Sequence, residues 1–255
     1  YFDVTPDSFS DGGKLSTSEA VKHTAKEMIQ SGVDMIDVGG ESTRPGSDPV
    51  SLQEELKRVI PAIDLIRSFS DIPISIDTYK PEVMQAAIEA GANMINDVNA
   101  LQADGARQVA AELGVPVCLM HKKGVPKTMQ DQPYYEDVVL EVADFFEGQI
   151  SLCLQAGVMT NQIMLDPGFG FGKRLEDNIA LFKKMDSVKK LDAPLLIGVS
   201  RKRMIGQILN LEQVDQRMVG SVTAALLAAQ SGAKMVRVHD VKETVQALNI
   251  ASALS

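Results

Sequence analysis

The chain is poor in cysteine. Cys118 and Cys153 are the only two in 255 residues, one in an apolar run and one in an amphipathic segment. Two thiols cannot build a disulfide framework, so a reducing cytoplasm is the expected compartment. Long apolar runs are missing as well: none approaches the ~18 residues a membrane span needs, and no signal peptide is read before Thr5 and Pro6. Positive charge is in deficit, with 25 Lys and Arg against 34 Asp and Glu and a net charge of −9. A nucleic-acid or acidic-membrane surface requires a diffuse positive field, so neither partner is expected, and any anionic ligand must be held by a local cluster of cations. There is no low-complexity linker and no block of like charge, so residues 1–255 are expected to form one domain. No Gly-rich dinucleotide turn follows the first apolar run, which counts against a doubly wound open sheet. No Ser-His-Asp order and no cage of Cys and His is present, so acyl transfer and zinc hydrolysis find little support.

What the chain does have is a repeat. A helical segment ends in a glycine, and a short Val/Ile/Met/Leu run follows and finishes in polar residues. Gly32 precedes Asp34-Met-Ile-Asp-Val38, Gly91 precedes Asn93-Met-Ile-Asn96, Gly114 precedes Val115 to Met120, and Gly232 precedes Lys234 to Val238. Each glycine suits the left-handed turn at a helix C-terminus. With Phe2–Thr5, Ile72–Ile76, Ile163–Leu165 and Pro194–Val199 there are eight candidate strands, or about 32 residues per unit, the size of a βα unit repeated eight times. Helices are predicted over 17–31, opened by a capping box from Ser16 to Glu19, and over 52–69, opened by Ser51 with Glu54. Others are predicted over 81–90 with Pro81 in the first turn, 104–113, 134–156, 175–191, a two-part stretch from Arg203 to Gln230, and 241–254. Gly220 to Ala229 is small and apolar nearly all round, which predicts burial in the core or against another subunit. Apolar runs that do not alternate predict parallel strands covered outside by helices, a TIM-type (β/α)8 barrel.

In such a barrel the site lies at the carboxyl ends of the strands. Those ends carry Glu41 to Gly46 after the second strand, Asp77 and Thr78, Asn96 and Asp97, Asp166, Ser200 to Arg203, and Arg237-Val-His239-Asp240. The stretch Gln162 to Lys173 is the most distinctive: a buried run delivers Asp166 into a Pro-Gly break. Gly168, Gly170 and Gly172 then alternate with Phe169 and Phe171, and Lys173 closes the loop with a positive charge. Asp166, Asn96 and Asp77 supply acceptors and one amide for a flat heterocycle with a donor-rich edge. Lys202, Arg237 and His239 are the local cations for an anion at the mouth, and alternation along the last strand places Arg237 and His239 on one side.

Seven blocks, in order, resemble the dihydropteroate synthase family of the folate pathway, the family targeted by sulfonamides. They are Thr5 to Gly13, Asp37 to Gly46, Ile76-Asp-Thr78, Ile95-Asn-Asp97, Leu165 to Lys173, Ser200-Arg-Lys202 and Arg237 to Asp240. The resemblance implies condensation of a dihydropterin hydroxymethyl diphosphate with para-aminobenzoate, releasing diphosphate, with Asp77 and Lys202 closest to the chemistry. Asp166 and Asn96 are implied to grip the pterin's aminopyrimidinone edge, Lys202 its ring oxygen and nitrogen, with Met120, Phe171 and Gly198 shaping the slot. Thr43, Arg237, His239 and a Mg²⁺ are implied for the diphosphate. Phe9, Arg44 and Pro45, with Arg203 if it points inward, are implied for para-aminobenzoate. Association into a homodimer through the late helices is expected. Two rivals stand beside this reading: a pterin-dependent methyltransferase on the same barrel, which has no need of the Arg44-Pro45 loop or the Arg237 and His239 anion site, and a non-catalytic pterin-binding homologue.

Other polar residues have quieter readings. Glu41 and Asp97 are expected to fix loops by accepting backbone N–H bonds. Arg201 is either an ion-pair partner or an anion ligand. His121 is expected to be a satisfied structural residue, His23 a residue of a solvated helix face, and Met28, Met35, Met94 and Met164 core filler. Asp7 and Asp11 are either surface charges or loop-ordering groups. The chain departs from the family pattern at Asp3, where an Asn that ligates metal is usual; Asp is a competent Mg²⁺ ligand, so Asp3 is the metal residue expected here. Arg203 stands where a Ser is common, Lys122 and Lys123 replace a Met-Gln pair, and Tyr79 replaces a Ser. The N-terminal hairpin usual in the family and the start of the first strand are expected to be missing.

Overall fold

Prolines decide where several strands begin. Pro73, Pro116 and Pro194 have no N–H to give a ladder, and each offers only its carbonyl, to Ile36, Ile95 and Leu165 respectively. The regular strands therefore start later than the apolar runs suggest. In the computed structural model, which describes residues 2–3, 17–42, 47–124, 133–189 and 191–255 (backbone only for Phe2, Asp3, Thr17 and Lys189), they are β1 (Phe2–Asp3), β2 (Ile36–Gly39), β3 (Ile74–Asp77), β4 (Met94–Asp97), β5 (Val117–Met120), β6 (Ile163–Asp166), β7 (Leu196–Ile197) and β8 (Met235–Val236). Asp7, Phe9, Asp11, Ser16, Thr43, Arg44 and Pro45 lie outside the described residues.

The strands are parallel and pair in sequence order from β1 to β6. A parallel bridge between Leu165 and Leu195 continues the order to β7, which pairs with β8. Arg237, just past β8, reaches Asp37 of β2 and Asp77 of β3 across the interior, drawing the last strand toward the first ones. This is the (β/α)8 barrel order. The helices are α1 (Thr17–Gln30), α2 (Leu52–Arg67), α3 (Pro81–Glu89), α4 (Ala106–Leu113), α5 (Val138–Gln155), α6 (Leu175–Lys183), α7 (Met185–Lys189), α8 (Arg203–Leu209), α9 (Met218–Gln230) and α10 (Val241–Leu254).

Local signals explain most boundaries. Ser51 accepts from the Glu54 N–H, as expected, and Pro81 occupies the first turn of α3. The helix expected from 134 starts instead at Val138, because Asp137 Oδ1 caps the Val139 and Leu140 N–H groups at 2.9 and 3.2 Å. The helix expected over 175–191 breaks at Lys184, whose backbone leaves the helical region (φ −114°, ψ 28°). The glycines expected to end helices do so in the left-handed region, from +66° at Gly114 to +110° at Gly91.

Parity along each strand divides the core. Ile36, Val38, Ile74, Ile76, Ile95, Val117, Leu119, Ile163 and Leu165 point outward into one buried cluster with the helices. Each such side chain contributes about 1.5–3 kcal/mol by leaving water. The inward set begins with a separate apolar layer of Met94, Cys118 and Leu196, with Met35, Met164 and Met235 packed against it. That layer is a floor, and the polar strand ends stand on it.

The small-residue helix behaves differently from a buried one. In α9 only Ser221, Ala225 and Ala228 are buried, while Val219 is 70% exposed. An apolar groove of about 660 Å³ runs between α9 and α10, lined by Leu226, Ala247, Ile250, Ala251 and Leu254 among others. Among the described residues no helix is long and apolar enough to cross a membrane.

Candidate functional site

Asp166 ends β6 and is held from both sides. Its carbonyl accepts the His121 N–H at 2.9 Å, which ties β6 to β5, and its Oδ1 accepts the Gly168 N–H at 2.8 Å. Gly168 has φ +68°, and a Cβ placed there would sit 1.8 Å from the His121 carbonyl oxygen. The loop can pass so close to β5 only because this residue has no side chain. Lys173, which closes the loop with its positive charge, is turned inward. It is 3% exposed, and its ammonium donates to Gly168 O at 2.8 Å, Phe171 O at 3.3 Å and His121 O at 3.4 Å, and meets His121 Nδ1 at 2.9 Å. Burial and the two lysines nearby pull the His121 proton affinity down to about 2, so the ring is neutral and Nδ1 serves as an acceptor. His121 is thus a satisfied structural residue, as expected. Asn178 completes the loop's framework: Oδ1 accepts the Gly170 N–H at 2.7 Å, and Nδ2 donates to Arg174 O at 2.7 Å.

Lys202, at the N-cap of α8, crosses over this loop. Its Nζ donates to Phe169 O at 2.7 Å and lies 4.7 Å from the centre of the Phe171 ring. A Cβ on Gly198 would lie 3.8 Å from Lys202 Nζ, 3.8 Å from the Arg237 Cβ and 3.9 Å from Asp166 Oδ2. Side chains from the end of β6, from just past β8 and from the N-cap of α8 therefore close around a bare stretch just past β7, where a flat ligand can approach the backbone. Met120 is buried at the end of β5, in register with Asp166.

On the other wall, Asp37 gathers three partners. Ser75 Oγ donates at 2.6 Å, Asn96 Nδ2 at 3.2 Å and Arg237 Nε at 2.7 Å, while Arg237 Nη2 donates to Asp77 Oδ2 at 2.8 Å. Sequence reasoning passed over Asp37, although the alternation of Met35, Asp37 and Gly39 along β2 turns it inward with the floor methionine. Arg237 spans the two carboxylates in the barrel, and the exposed His239 bonds Ser200.

The interior is electrostatically tense. Burial pushes the Asp166 carboxyl up, opposed chiefly by Lys202 and then by the Gly168 N–H, Arg237 and Lys173. Burial also lowers the proton affinity of Lys202 to about 8, against the pull of Asp166, and that of Lys173 to about 7. Two desolvated cations beside one desolvated carboxylate leave a site that gains when an anion or a hydrogen-bonding ring arrives.

Outside the slot the quieter residues fall largely as read. Asp97 accepts from the Asn99 and Leu101 N–H groups at 2.6 and 2.8 Å, and burial raises its carboxyl to about 7. Glu41 is a correction: among the described residues it takes no backbone N–H but pairs with Lys80, which also pairs with the buried Glu55, and receives Tyr79 OH at 3.2 Å. A carboxylate this near a half-buried ammonium is drawn to the charge in preference to an amide. Arg201 is the ion-pair partner, gripping Asp240 through both Nε and Nη2. His23 lies exposed on α1 beside Glu27, and Met28, Met35, Met94 and Met164 pack in the core clusters. Arg203 is exposed at the first turn of α8. Lys123 lies 4.1 Å from the Tyr135 ring centre and pairs with Glu141, so this departure from the family pattern is anchored in packing.

The class of molecule that this geometry defines is a barrel protein whose strand ends gather acceptors and cations suited to a polar, donor-edged ring. Comparison with known proteins is more specific. The pattern that defines the family described as "Pterin binding enzyme" matches residues 2–239. Dihydropteroate synthase of Escherichia coli strain K12 is 51% identical over 251 residues, covering 98% of this chain and 88% of that protein. Among solved structures, Xanthomonas albilineans dihydropteroate synthase with 4-aminobenzoic acid superposes with a TM-score of 0.94 at 48% identity, covering 99% of this chain and 90% of the other. The same enzyme in complex with 7,8-dihydropteroate gives 0.90 at 45% identity, with the same coverage. The chain belongs to the dihydropteroate synthases, within the pterin-binding enzyme family.

Proposed function

We propose that this chain works in folate biosynthesis as a dihydropteroate synthase, a transferase joining a dihydropterin hydroxymethyl diphosphate to para-aminobenzoate, and that its one domain carries the whole site. The observation that carries the assignment of residues is the convergence of Asp166, Lys202 and Arg237 on Gly198, opposite Asn96, Asp37 and Asp77. Asp166 and Asn96 take the aminopyrimidinone edge, Lys202 the ring oxygen and nitrogen, and Met120 and Phe171 the ring faces. The carbon–oxygen bond to diphosphate breaks with its electron pair on the leaving group, and the amine nitrogen forms the new bond and gives up a proton. Asp77 faces the ring region that becomes positive, so the chain's contribution is a preorganised field rather than a nucleophile. Two of the five Arg237 N–H groups are spent on Asp37 and Asp77.

One hard cation, Mg²⁺ carried in with the diphosphate, is assigned to Asp3. Asp3 ends β1, beside Gly39 of β2, at the same rim as Asp77. Mg²⁺ is commonly held by one or two carboxylates together with substrate phosphates, and when bound it neutralises charge on the leaving group. Thr43, Arg237 and His239 are assigned to the diphosphate, and Phe9, Arg44 and Pro45 to para-aminobenzoate. The compartment is the cytoplasm, and the groove between α9 and α10 supports pairing of two copies; sedimentation that gives a monomer at micromolar concentration would refute the pairing.

Calorimetric titration with the pterin diphosphate, with and without Mg²⁺, followed by an assay for dihydropteroate and released diphosphate, tests the function. Turnover with stoichiometric diphosphate is expected. Tight binding without product would make the chain a binding homologue, and methyl transfer without diphosphate release would place it with the methyltransferases.

A further inference from the structure

Ser200 and His239 meet where the ends of β7 and β8 lie side by side. Ser200 is 4% exposed, and its Oγ stands 3.1 Å from the His239 backbone nitrogen and 3.1 Å from ring Nδ1. Among the described residues these are the hydrogen-bond partners of the hydroxyl. The backbone N–H can only donate, so it occupies one lone pair of Oγ. A buried hydroxyl still needs an acceptor for its own proton, and Nδ1 is the one within reach.

We infer that Ser200 is a positioning residue that holds His239 as its Nε2–H tautomer, with Nδ1 turned inward as an acceptor and Nε2–H as the ring's donor to the diphosphate. The step rests on the reading of His239 as a diphosphate ligand. It matters because an anion needs a donor, and an imidazole whose orientation or tautomer wanders presents an acceptor part of the time.

The surrounding backbone makes the contact a built one. The Arg237 N–H donates to Ile197 O at 3.0 Å, which registers the two strand ends. Arg201 sits in the left-handed region at φ +57°, held by its N–H to Ser221 Oγ at 2.8 Å, and its guanidinium grips Asp240. Ser200 and His239 are thus each followed by one member of a buried-side ion pair, and neither partner can slide without breaking it. The same clamp leads directly into Lys202, so the cation of the slot and the donor at its mouth share one support.

The chain has three histidines, His23, His121 and His239, so long-range nitrogen–proton spectra of ¹⁵N-histidine-labelled protein resolve each ring, with His239→Gln giving the assignment. At a pH where the ring is neutral, His239 is expected to show an unprotonated Nδ1 and a protonated Nε2. In Ser200→Ala both nitrogen signals should shift away from these values, and Ser200→Thr, which keeps the hydroxyl, should restore them. Affinity for inorganic pyrophosphate with Mg²⁺ should fall about three- to tenfold in Ser200→Ala, the range of one hydrogen bond. Adding Ser200→Ala to His239→Gln should cost nothing more. An Nδ1–H tautomer in the wild type, or unchanged ring signals in a folded Ser200→Ala, overturns the inference, as does an additive loss in the double variant. Unchanged pyrophosphate affinity in His239→Gln instead removes the diphosphate role of His239 itself, and the tautomer measurement separates that failure from the other.

Discussion

Two glycines in one loop should respond very differently to the same added methyl group. Gly168 and Gly170 both have φ in the left-handed region, +68° and +79°, so alanine at either position costs about 1–2 kcal/mol in backbone strain. At Gly170 the nearest atom to a new Cβ is Lys202 Cδ at 3.6 Å, an ordinary contact, so the cost should stop there. At Gly168 the new Cβ would fall 1.8 Å from the His121 carbonyl oxygen, which is backbone and is fixed by the neighbouring Asp166–His121 bond. The loop must move outward. It then gives up the Gly168 N–H to Asp166 and the Lys173 bond to Gly168 O, both involving charged groups and each worth about 1.5–3 kcal/mol. The total for Gly168→Ala is therefore roughly 4–8 kcal/mol. For a domain of this size about 1 kcal/mol lowers Tm by 2–4 °C, so Gly170→Ala should lose no more than about 8 °C and Gly168→Ala clearly more. Thermal unfolding by circular dichroism measures both, and calorimetry with a pterin measures whether Asp166 is still presented correctly. Equal losses in the two variants, or full pterin affinity in Gly168→Ala, would refute the view that this loop is aimed by close packing against β5.

Three further outcomes are expected. Asp166→Ala should weaken pterin binding by about 2–3 kcal/mol, since a donor edge and Lys202 both lose a charged partner; an unchanged dissociation constant by calorimetry would remove Asp166 from the pocket. Because burial lowers the proton affinity of Lys202 to about 8, its charge fades as the pH rises through 8, and kcat/KM for the pterin diphosphate should fall on that alkaline limb. Lys202→Arg, which keeps its charge, should move the limb upward, and a wild-type profile flat to pH 9.5 would contradict the assignment. A sulfonamide should bind poorly until a pterin and pyrophosphate are present, and equal affinity for the free protein by calorimetry would argue against ordered filling of the site.

Much of this molecule was legible in the chain because a parallel barrel repeats one local rule. Short apolar runs recur eight times, four of them after a glycine-terminated helix, and the residue that ends each run is delivered to the same rim. Asp77, Asn96 and Asp166 could be picked out on that basis, as could Lys202, because position along a strand is a one-dimensional property. The start of α5 at Val138 and the break at Lys184 were harder, since a single cap or one departure from helical φ and ψ outweighs a continuing apolar pattern.

Sequence alone determined the order of strands, the rim on which chemistry is possible and the residue types gathered there, all of which follow from alternation and turn-forming residues close together in the chain. Tertiary structure decided who bonds whom. That Lys173 is buried against His121, that Glu41 turns to Lys80, that Arg237 spans Asp37 and Asp77, and that Ser200 holds His239 are contacts between residues from 39 to 200 positions apart. Such pairings depend on which desolvated charge lies within a few ångströms in space, and distance in space between strands is a quantity the linear pattern does not contain.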